Sequence, residues 1–320
     1  MTRPSTPSTM RGLVLDPSAE IGVRLREDLT LPTPKKGEIR VQVAYSSVNG
    51  HEFELARNPL VRLTRRLRRA PGEVQTGLEF AGVVDADGAS FSRGERVFGY
   101  VDMIAGWKPH GEFLAIPEAY VARAPEGVPL ARAAALPMSA QTALVALREV
   151  AGVQPGQHTL ILGASGGVGV MAVQIARILG AEVTAVASAK VHERLADLGA
   201  TQTVDYRQTP LEHMTGSFDA ILDFSRTAYL SHVRHLLADG GMFIPADPLR
   251  NIVDVTLSRR AKWLMVDRGD RALLEEIARW VEQGRLEPIV DEVFEFARWP
   301  AAVTRSHERG RLGRTMLHFG

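Results

Sequence analysis

The chain has 320 residues, 45% hydrophobic and 23% charged, with 29 Gly and 18 Pro. That supports a sizeable core, excludes wholesale disorder and favours two domains over one. Lys and Arg total 38 against 37 for Asp and Glu, so no global field would hold the chain on nucleic acid or a membrane, and a charged partner needs a local patch. Cysteine is absent, which removes disulfides, thiolate nucleophiles and Cys-ligated zinc or iron–sulfur centres. No run reaches the ~18 apolar residues of a membrane span, and the polar start MTRPSTPSTM lacks the apolar core of a secretory signal. A cytoplasmic protein is expected.

From Gly12 to Pro125, short apolar runs such as IRVQVAYSSV (39–48), FAGVVDA (80–86) and ERVFGYV (95–101) alternate with turn-rich stretches. Period-two alternation and β-branched content predict a β-rich domain. Within it, segment 57–69 crowds Arg57, Arg62, Arg65, Arg66, Arg68 and Arg69, which reads either as a basic lid for an anionic substrate or as a solvated face. Beyond Leu130 an Ala-rich helical stretch (131–150) precedes the compact apolar runs HTLILGAS, AEVTAVAS, FDAILDFS and GGMFIPAD, with helical patterns between them. Such alternation predicts βαβ units on a parallel sheet. The segment IVDVTL (252–257) is expected as a further strand, and a helix is expected over 271–283. A short strand, a helix and the terminal RTMLHF then return to the texture of the first region. We therefore expect an α/β fold with a discontinuous domain, residues 1–129 and 284–320, around a Rossmann-type doubly wound parallel-sheet domain at 130–283.

The strongest local signal is ILGASGGVGVMAVQIA, with Gly163, Ser165, Gly166, Gly167, Val168 and Gly169 between an apolar strand and an amphipathic helix. Glycines there allow a tight turn, let backbone approach a pyrophosphate and allow close helix-on-strand packing, while the helix start offers N–H donors. The second strand ends AVASAK, where Ser188 and Lys190 stand and no carboxylate is available for ribose hydroxyls. A hydroxyl and an ammonium suit a 2′-phosphate, so NADPH is expected over NADH. Tyr206, at the end of the third strand, completes that group.

Taken together, SSVNGHEF (46–53), GLEFAGVV (77–84), GERVFGY (94–100), AALPMSAQTAL (134–144), GASGGVG (163–169), LGATQTVDY (198–206) and GRTMLHF (313–319) resemble the medium-chain dehydrogenase/reductase superfamily, in its zinc-free quinone oxidoreductase and enone reductase branch. The resemblance implies a GroES-like catalytic domain, a Rossmann domain and a cleft between them for the nicotinamide. Asn49 and Leu78 stand where zinc-dependent relatives carry Cys and His, so no metal is expected. Asn49 would face the nicotinamide, Thr142 would contact cofactor, and Gly166, Gly167 and Val168 would line the pyrophosphate. Arg314 resembles the superfamily's basic residue near the pyrophosphate, with Glu52 as its acidic partner. A homodimer is implied through the sheet edge near residues 240–246 and the following IVDVTL segment. Nucleic-acid partners are not expected, since the Arg-rich segment carries no interleaved aromatic platform, and a membrane partner is not expected from the balanced charge.

Hydride delivery to an enone or quinone develops an oxyanion that needs a hydrogen-bond donor and then a proton. His51, Tyr100 and His110 are the candidates, each with an alternative role in packing or pocket shape. The expected activity is a zinc-independent transfer of hydride from NADPH to a quinone or an activated C=C. A carbonyl or enoyl-thioester reductase and a catalytically idle NADPH-binding protein are the alternatives.

Overall fold

The computed structural model describes residues 8–16, 18–19, 21–49, 75–103, 106, 108–247 and 249–320. His51, Glu52 and the arginines of segment 57–69 lie outside the described residues. In chain order, the first lobe contains β1 (Thr9–Leu15), β2 (Val23–Thr30), β3 (Glu38–Val48), β4 (Glu79–Ala86), β5 (Arg96–Tyr100), β6 (Phe113–Pro117) and β7 (Val121–Arg123). Then come α1 (Leu130–Ala133), α2 (Pro137–Leu144), β8 (His158–Leu162), α3 (Gly167–Ile178), β9 (Glu182–Ala187), α4 (His192–Asp197), β10 (Gln202–Asp205), β11 (Phe218–Asp223), α5 (Leu230–Val233) and β12 (Leu237–Pro245). The chain ends with α6 (Ile252–Leu257), α7 (Arg271–Glu282), β13 (Val290–Glu295), α8 (Trp299–His307) and β14 (Arg314–His318).

Two sheets dominate the described residues. One has seven strands in the order β13-β14-β3-β4-β5-β7, with β6 also on β3, so the last strands of the chain pair with the first region. Strand β3 alternates as the sequence does: Ile39, Val41 and Val43 are buried, whereas Gln42 faces out. The other sheet is parallel, ordered β10-β9-β8-β11-β12. Its strand order reverses between β8 and β11, and the crevice beyond their carboxyl ends is where doubly wound sheets hold ligands.

The expected helix at 131–150 is divided. Pro137 has no N–H to continue the turn begun in α1, and it opens α2 at a position where none is needed. A π-helical turn, Val145–Val150, follows. Though apolar enough to span a bilayer by length and composition, residues 130–150 are mostly buried inside the protein. Ala133, Ala140 and Ala143 share one apolar cluster with Ala81, Phe98 and Ala122 of the first lobe and Met316 of β14. Leu136, Leu144 and Leu147 are fully buried there, each contributing about 2 kcal/mol by removal from water. This continuous cluster fixes where the two sheets meet.

The expected strand at IVDVTL is instead the helix α6. The edge of β12 is already occupied: Phe243 donates its N–H to the Arg260 carbonyl and accepts from the Lys262 N–H. That single bridge, Phe243 to Ala261, takes the centre of the edge, and residues 252–257 satisfy their backbone internally.

Candidate functional site

The glycine-rich turn leaves β8 and enters α3. Gly163 adopts φ +74°, and a Cβ there would stand 2.7 Å from the Ser225 nitrogen, so only glycine allows the turn to pass the exit of β11. A Cβ on Gly169 would lie 2.2 Å from the Gly163 carbonyl oxygen, which is how closely α3 presses on the turn. Gly166 caps α3 with no side-chain acceptor, so the first-turn N–H groups remain available to an anion. Gly167 serves a separate purpose, because a Cβ there would lie within 2.1 Å of Arg314 Nε. Its missing side chain lets Arg314 run beneath the start of α3.

Beside this turn lies a cavity of about 370 Å³, lined by Gly163, Ser165 and Gly166, by Ser188 and Tyr206, by Phe224, Ser225 and Thr227, and by residues 308–311. Five expected residues thus meet: Gly163, Ser165, Gly166, Ser188 and Tyr206. Lys190 stands at the rim, its Cδ 3.9 Å from where a Cβ on Gly310 would be. Gly167, Val168, Gly169, Asn49, Thr142 and Arg314 do not line this cavity. Thr142 is half-buried on α2, and Asn49 follows β3, whose Val48 pairs with Thr315.

Ser188 is 2% exposed, and its hydroxyl has no hydrogen-bond partner among the described residues. A buried unpaired hydroxyl costs about 1–3 kcal/mol, and of the six buried, unpartnered side-chain atoms among the described residues Ser188 Oγ is the one that belongs to a residue lining this cavity. Among the described residues no carboxylate pairs with Lys190, Arg309 or Arg311, whereas Arg305 nearby holds both Asp291 (2.8 Å) and Glu308. Lys190, Arg309 and Arg311 thus gather positive charge at the cavity rim with no carboxylate in direct contact with them among the described residues. Its wall at residues 224–228 is shaped by Asp223, which is fully buried and accepts from Ser225 Oγ, the Arg226 N–H and the Ala228 N–H. Burial raises the Asp223 carboxyl above its usual range, and those donors oppose the rise. Arg226 takes a left-handed φ of +60°, a strained geometry for a side-chain-bearing residue, and is held by Asp247 at 2.6 Å.

Arg314 corrects one expectation. Its Nε lies 3.1 Å from Glu79 Oε1 and 2.7 Å from Ser139 Oγ, and it is enclosed rather than presented to the cavity. The acid beside it is Glu79 of the GLEF stretch; the expected partner, Glu52, is outside the described residues. Glu79 also accepts from Ser47 Oγ (2.7 Å) and the Met138 N–H (2.8 Å).

Two of the three candidate proton donors are likewise committed elsewhere. Tyr100 is buried, and its hydroxyl donates to the Val266 carbonyl at 2.7 Å. Desolvation, with Glu79 adding to it, pushes its ionisation well above the usual range. His110 is fully buried, with Nε2 at 2.9 Å from the Ser47 carbonyl and Nδ1 at 2.8 Å from Thr76 Oγ1. Desolvation lowers its pKa to about 4, so it is a neutral packing residue at neutral pH. Tyr100 thus ties the two lobes together and His110 ties strands within the first, and neither faces an open cleft. His51 lies outside the described residues.

Sequence reasoning passed over Arg309, Gly310 and Arg311, although R-G-R-L-G-R ahead of the last strand is a local concentration of charge and glycine. It also missed Gln141, whose amide donates to the Arg268 carbonyl (2.8 Å) and accepts from the Asp270 N–H (2.9 Å), fastening the segment before α7 to α2.

Residues 198–317 match the family model described as zinc-binding dehydrogenase, and residues 129–223 match that of the alanine dehydrogenase/PNT C-terminal domain. The chain is 30% identical over 278 residues to NAD(P)H oxidoreductase RTN4IP1, mitochondrial, of Bos taurus, a match covering 73% of this chain and 68% of that protein. It is also 30% identical over 326 residues to polyketide synthase GfsB of Streptomyces halstedii, where the match takes in 98% of this chain but only 5% of the synthase. Among solved structures, the quinone oxidoreductase from Coxiella burnetii superposes with a TM-score of 0.83 at 22% identity, covering 97% of this chain and 99% of that one.

Proposed function

The chain belongs to the medium-chain dehydrogenase/reductase superfamily, and from that premise we propose that it is an oxidoreductase using NADPH to reduce a quinone or an electron-poor C=C without zinc. The observation that carries the cofactor choice is the buried, unpartnered Ser188 hydroxyl, with Lys190 and the 309–311 loop around it and no carboxylate closing β9. An adenosine 2′-phosphate would satisfy that hydroxyl and meet cations there, whereas NADH would leave them unused. The relatives named as an NAD(P)H oxidoreductase and a quinone oxidoreductase support the reaction class.

Bound NADPH would supply the hydride; the protein's part is to orient it and exclude water. Gly163 and Gly166 bring backbone close to the dinucleotide, and the α3 start offers N–H donors. Asn49 and Leu78 occupy the positions of the zinc-binding Cys and His of metal-dependent relatives, and neither replaces a Lewis acid. With Tyr100 bonded to Val266 and His110 to Ser47, the developing oxyanion would take its proton from His51 or from solvent.

The active form is proposed to be a homodimer joined beside β12. The segment that follows β12 exposes the large apolar side chains Leu249, Val253, Leu257 and Met265.

Steady-state oxidation of NADPH against simple quinones, cyclic enones and enoyl thioesters tests the activity. Turnover with a quinone or enone is expected; tight NADPH binding with no turnover of any acceptor would leave an idle binding protein. The polyketide synthase match favours enoyl-thioester reduction as the second reading, which a higher kcat/KM for the thioester would establish.

A further inference from the structure

Arg314 is enclosed against Glu79 and does not line the cavity beside the glycine-rich turn. We propose that Arg311, carried on the loop ahead of β14, is the residue that binds the diphosphate of the nicotinamide dinucleotide. This inference rests on the NADPH reading above and specifies which residue of that site holds the diphosphate.

Arg311 lines the cavity together with Ser165 and Gly166, the residues at the start of α3. Its Nη1 donates to the Gly313 carbonyl at 2.7 Å, which fixes one arm of the guanidinium. Gly313 in turn donates its N–H to the Ser165 carbonyl at 2.9 Å, and Gly313 and Gly166 form a parallel bridge. The guanidinium is thus carried on a stretch of chain hydrogen-bonded to the glycine-rich turn, and its position is set by that turn.

Charge accounting points the same way. Among the described residues no carboxylate pairs with Arg311, whereas Arg305 and Arg314 each have one at 3.1 Å or less. Glu308, the acid on the cavity rim, is taken by Arg305. A half-buried guanidinium with no carboxylate in direct contact and only the field of Asp291, itself bound to Arg305, to balance it is costly, and the cost is offset when an anion enters. Burial, with the neighbouring Arg314 adding to it and Asp291 opposing, lowers its pKa only to about 10, so it remains cationic at neutral pH. On the same cavity the buried Ser188 hydroxyl is likewise without a partner among the described residues. A diphosphate seated at the α3 start would receive first-turn N–H donors on one side and the free arm of Arg311 on the other.

The test is equilibrium binding, by intrinsic fluorescence and calorimetry, of NADPH, NADH, ADP and 2′-AMP to the wild-type protein and to Arg311→Gln. Loss of a charge-assisted contact is expected to weaken NADPH, NADH and ADP alike by about tenfold or more, and to leave 2′-AMP within about twofold. Unchanged affinity for all three diphosphate ligands overturns the proposal. So does weakening of NADPH and 2′-AMP with ADP unaffected, which would place Arg311 at the 2′-phosphate. Should Arg311→Gln fail to fold, Arg311→Lys replaces it; a loss of several-fold confined to the diphosphate ligands is then expected, and no loss overturns the proposal. Wild-type protein that binds none of NADPH, NADH and ADP overturns the NADPH reading as well, whereas normal wild-type binding with an unaltered variant removes only the role of Arg311.

Discussion

The Arg314 guanidinium meets the Glu79 carboxylate at 3.1 Å in a place almost closed to solvent, the two side chains being 5% and 0% exposed. The pair ties three distant pieces together: β4, the last strand β14, and the start of α2, whose Met138 N–H also reaches Glu79 at 2.8 Å. Removing one member leaves a buried charge without its partner. Glu79→Gln or Arg314→Gln should each cost on the order of 3–5 kcal/mol in chemical denaturation, with the Glu79→Met/Arg314→Met double variant closer to wild type. Single variants within about 1 kcal/mol of wild type, a limit well below the typical cost of an orphaned buried charge, would show that the pair is not structural.

The proposed preference for NADPH over NADH rests on Lys190 and Ser188. Lys190→Ala should weaken NADPH about tenfold or more while changing NADH little, measured by fluorescence titration. Ser188→Ala removes a hydroxyl that makes no internal bond, so the melting temperature should hold or rise while NADPH binding falls. Equal losses of both cofactors on Lys190→Ala would refute the 2′-phosphate assignment.

Neighbouring glycines in the turn should respond differently. At Gly169 an added Cβ meets the Gly163 carbonyl at 2.2 Å, against backbone that cannot give way, so Gly169→Ala should destabilise by about 1–3 kcal/mol or more. At Gly166 the nearest atom is 3.5 Å away, in ordinary contact. Gly166→Ala should therefore melt like the wild type and lose dinucleotide affinity, a contrast that calorimetry and binding together will show.

His110 makes stability depend on acid. Its folded pKa, about 4, lies below the unfolded value near 6.5, so the unfolded chain takes up the proton first. The stabilisation is complete above pH ~6.5 and is lost as pH falls through ~4, by on the order of 3 kcal/mol. Denaturation midpoints between pH 7 and pH 4 should fall more steeply in wild type than in His110→Gln; parallel curves would show that His110 is not buried neutral.

The apolar face beside β12 predicts association. Val253 and Leu257 are 65% and 80% exposed in a single chain. Val253→Asp combined with Leu257→Asp should convert a dimer to a monomer in sedimentation velocity at micromolar protein with the fold retained. A monomeric wild-type protein would remove the proposal.

Much of the fold is legible because its signals are local. The periodicity of HTLILGAS and AEVTAVAS, with glycines between strand and helix, needs neither distant contacts nor a ligand to be read. IVDVTL shows the limit. Its apolar, β-branched run suits a strand, but at the edge it would have joined Phe243 bonds residues 260–262 instead, and only the assembled sheet reveals that. His110 and Tyr100 show the same limit: sequence supplies the functional group, whereas only the fold reveals that Ser47 and Val266 are its partners.

By itself the sequence determined the superfamily, the parallel sheet, the glycine-rich turn and the absence of an acid after β9, since each depends on residue type and short-range spacing. The tertiary structure decided which arginine is spent on Glu79 and which is left facing the cavity. Arg311 and Arg314 lie in one short run and look equivalent in sequence. Their roles diverge because solvation and counterions are set by strands and helices brought together from distant parts of the chain, and a charge enclosed beside its counterion is no longer available to a ligand.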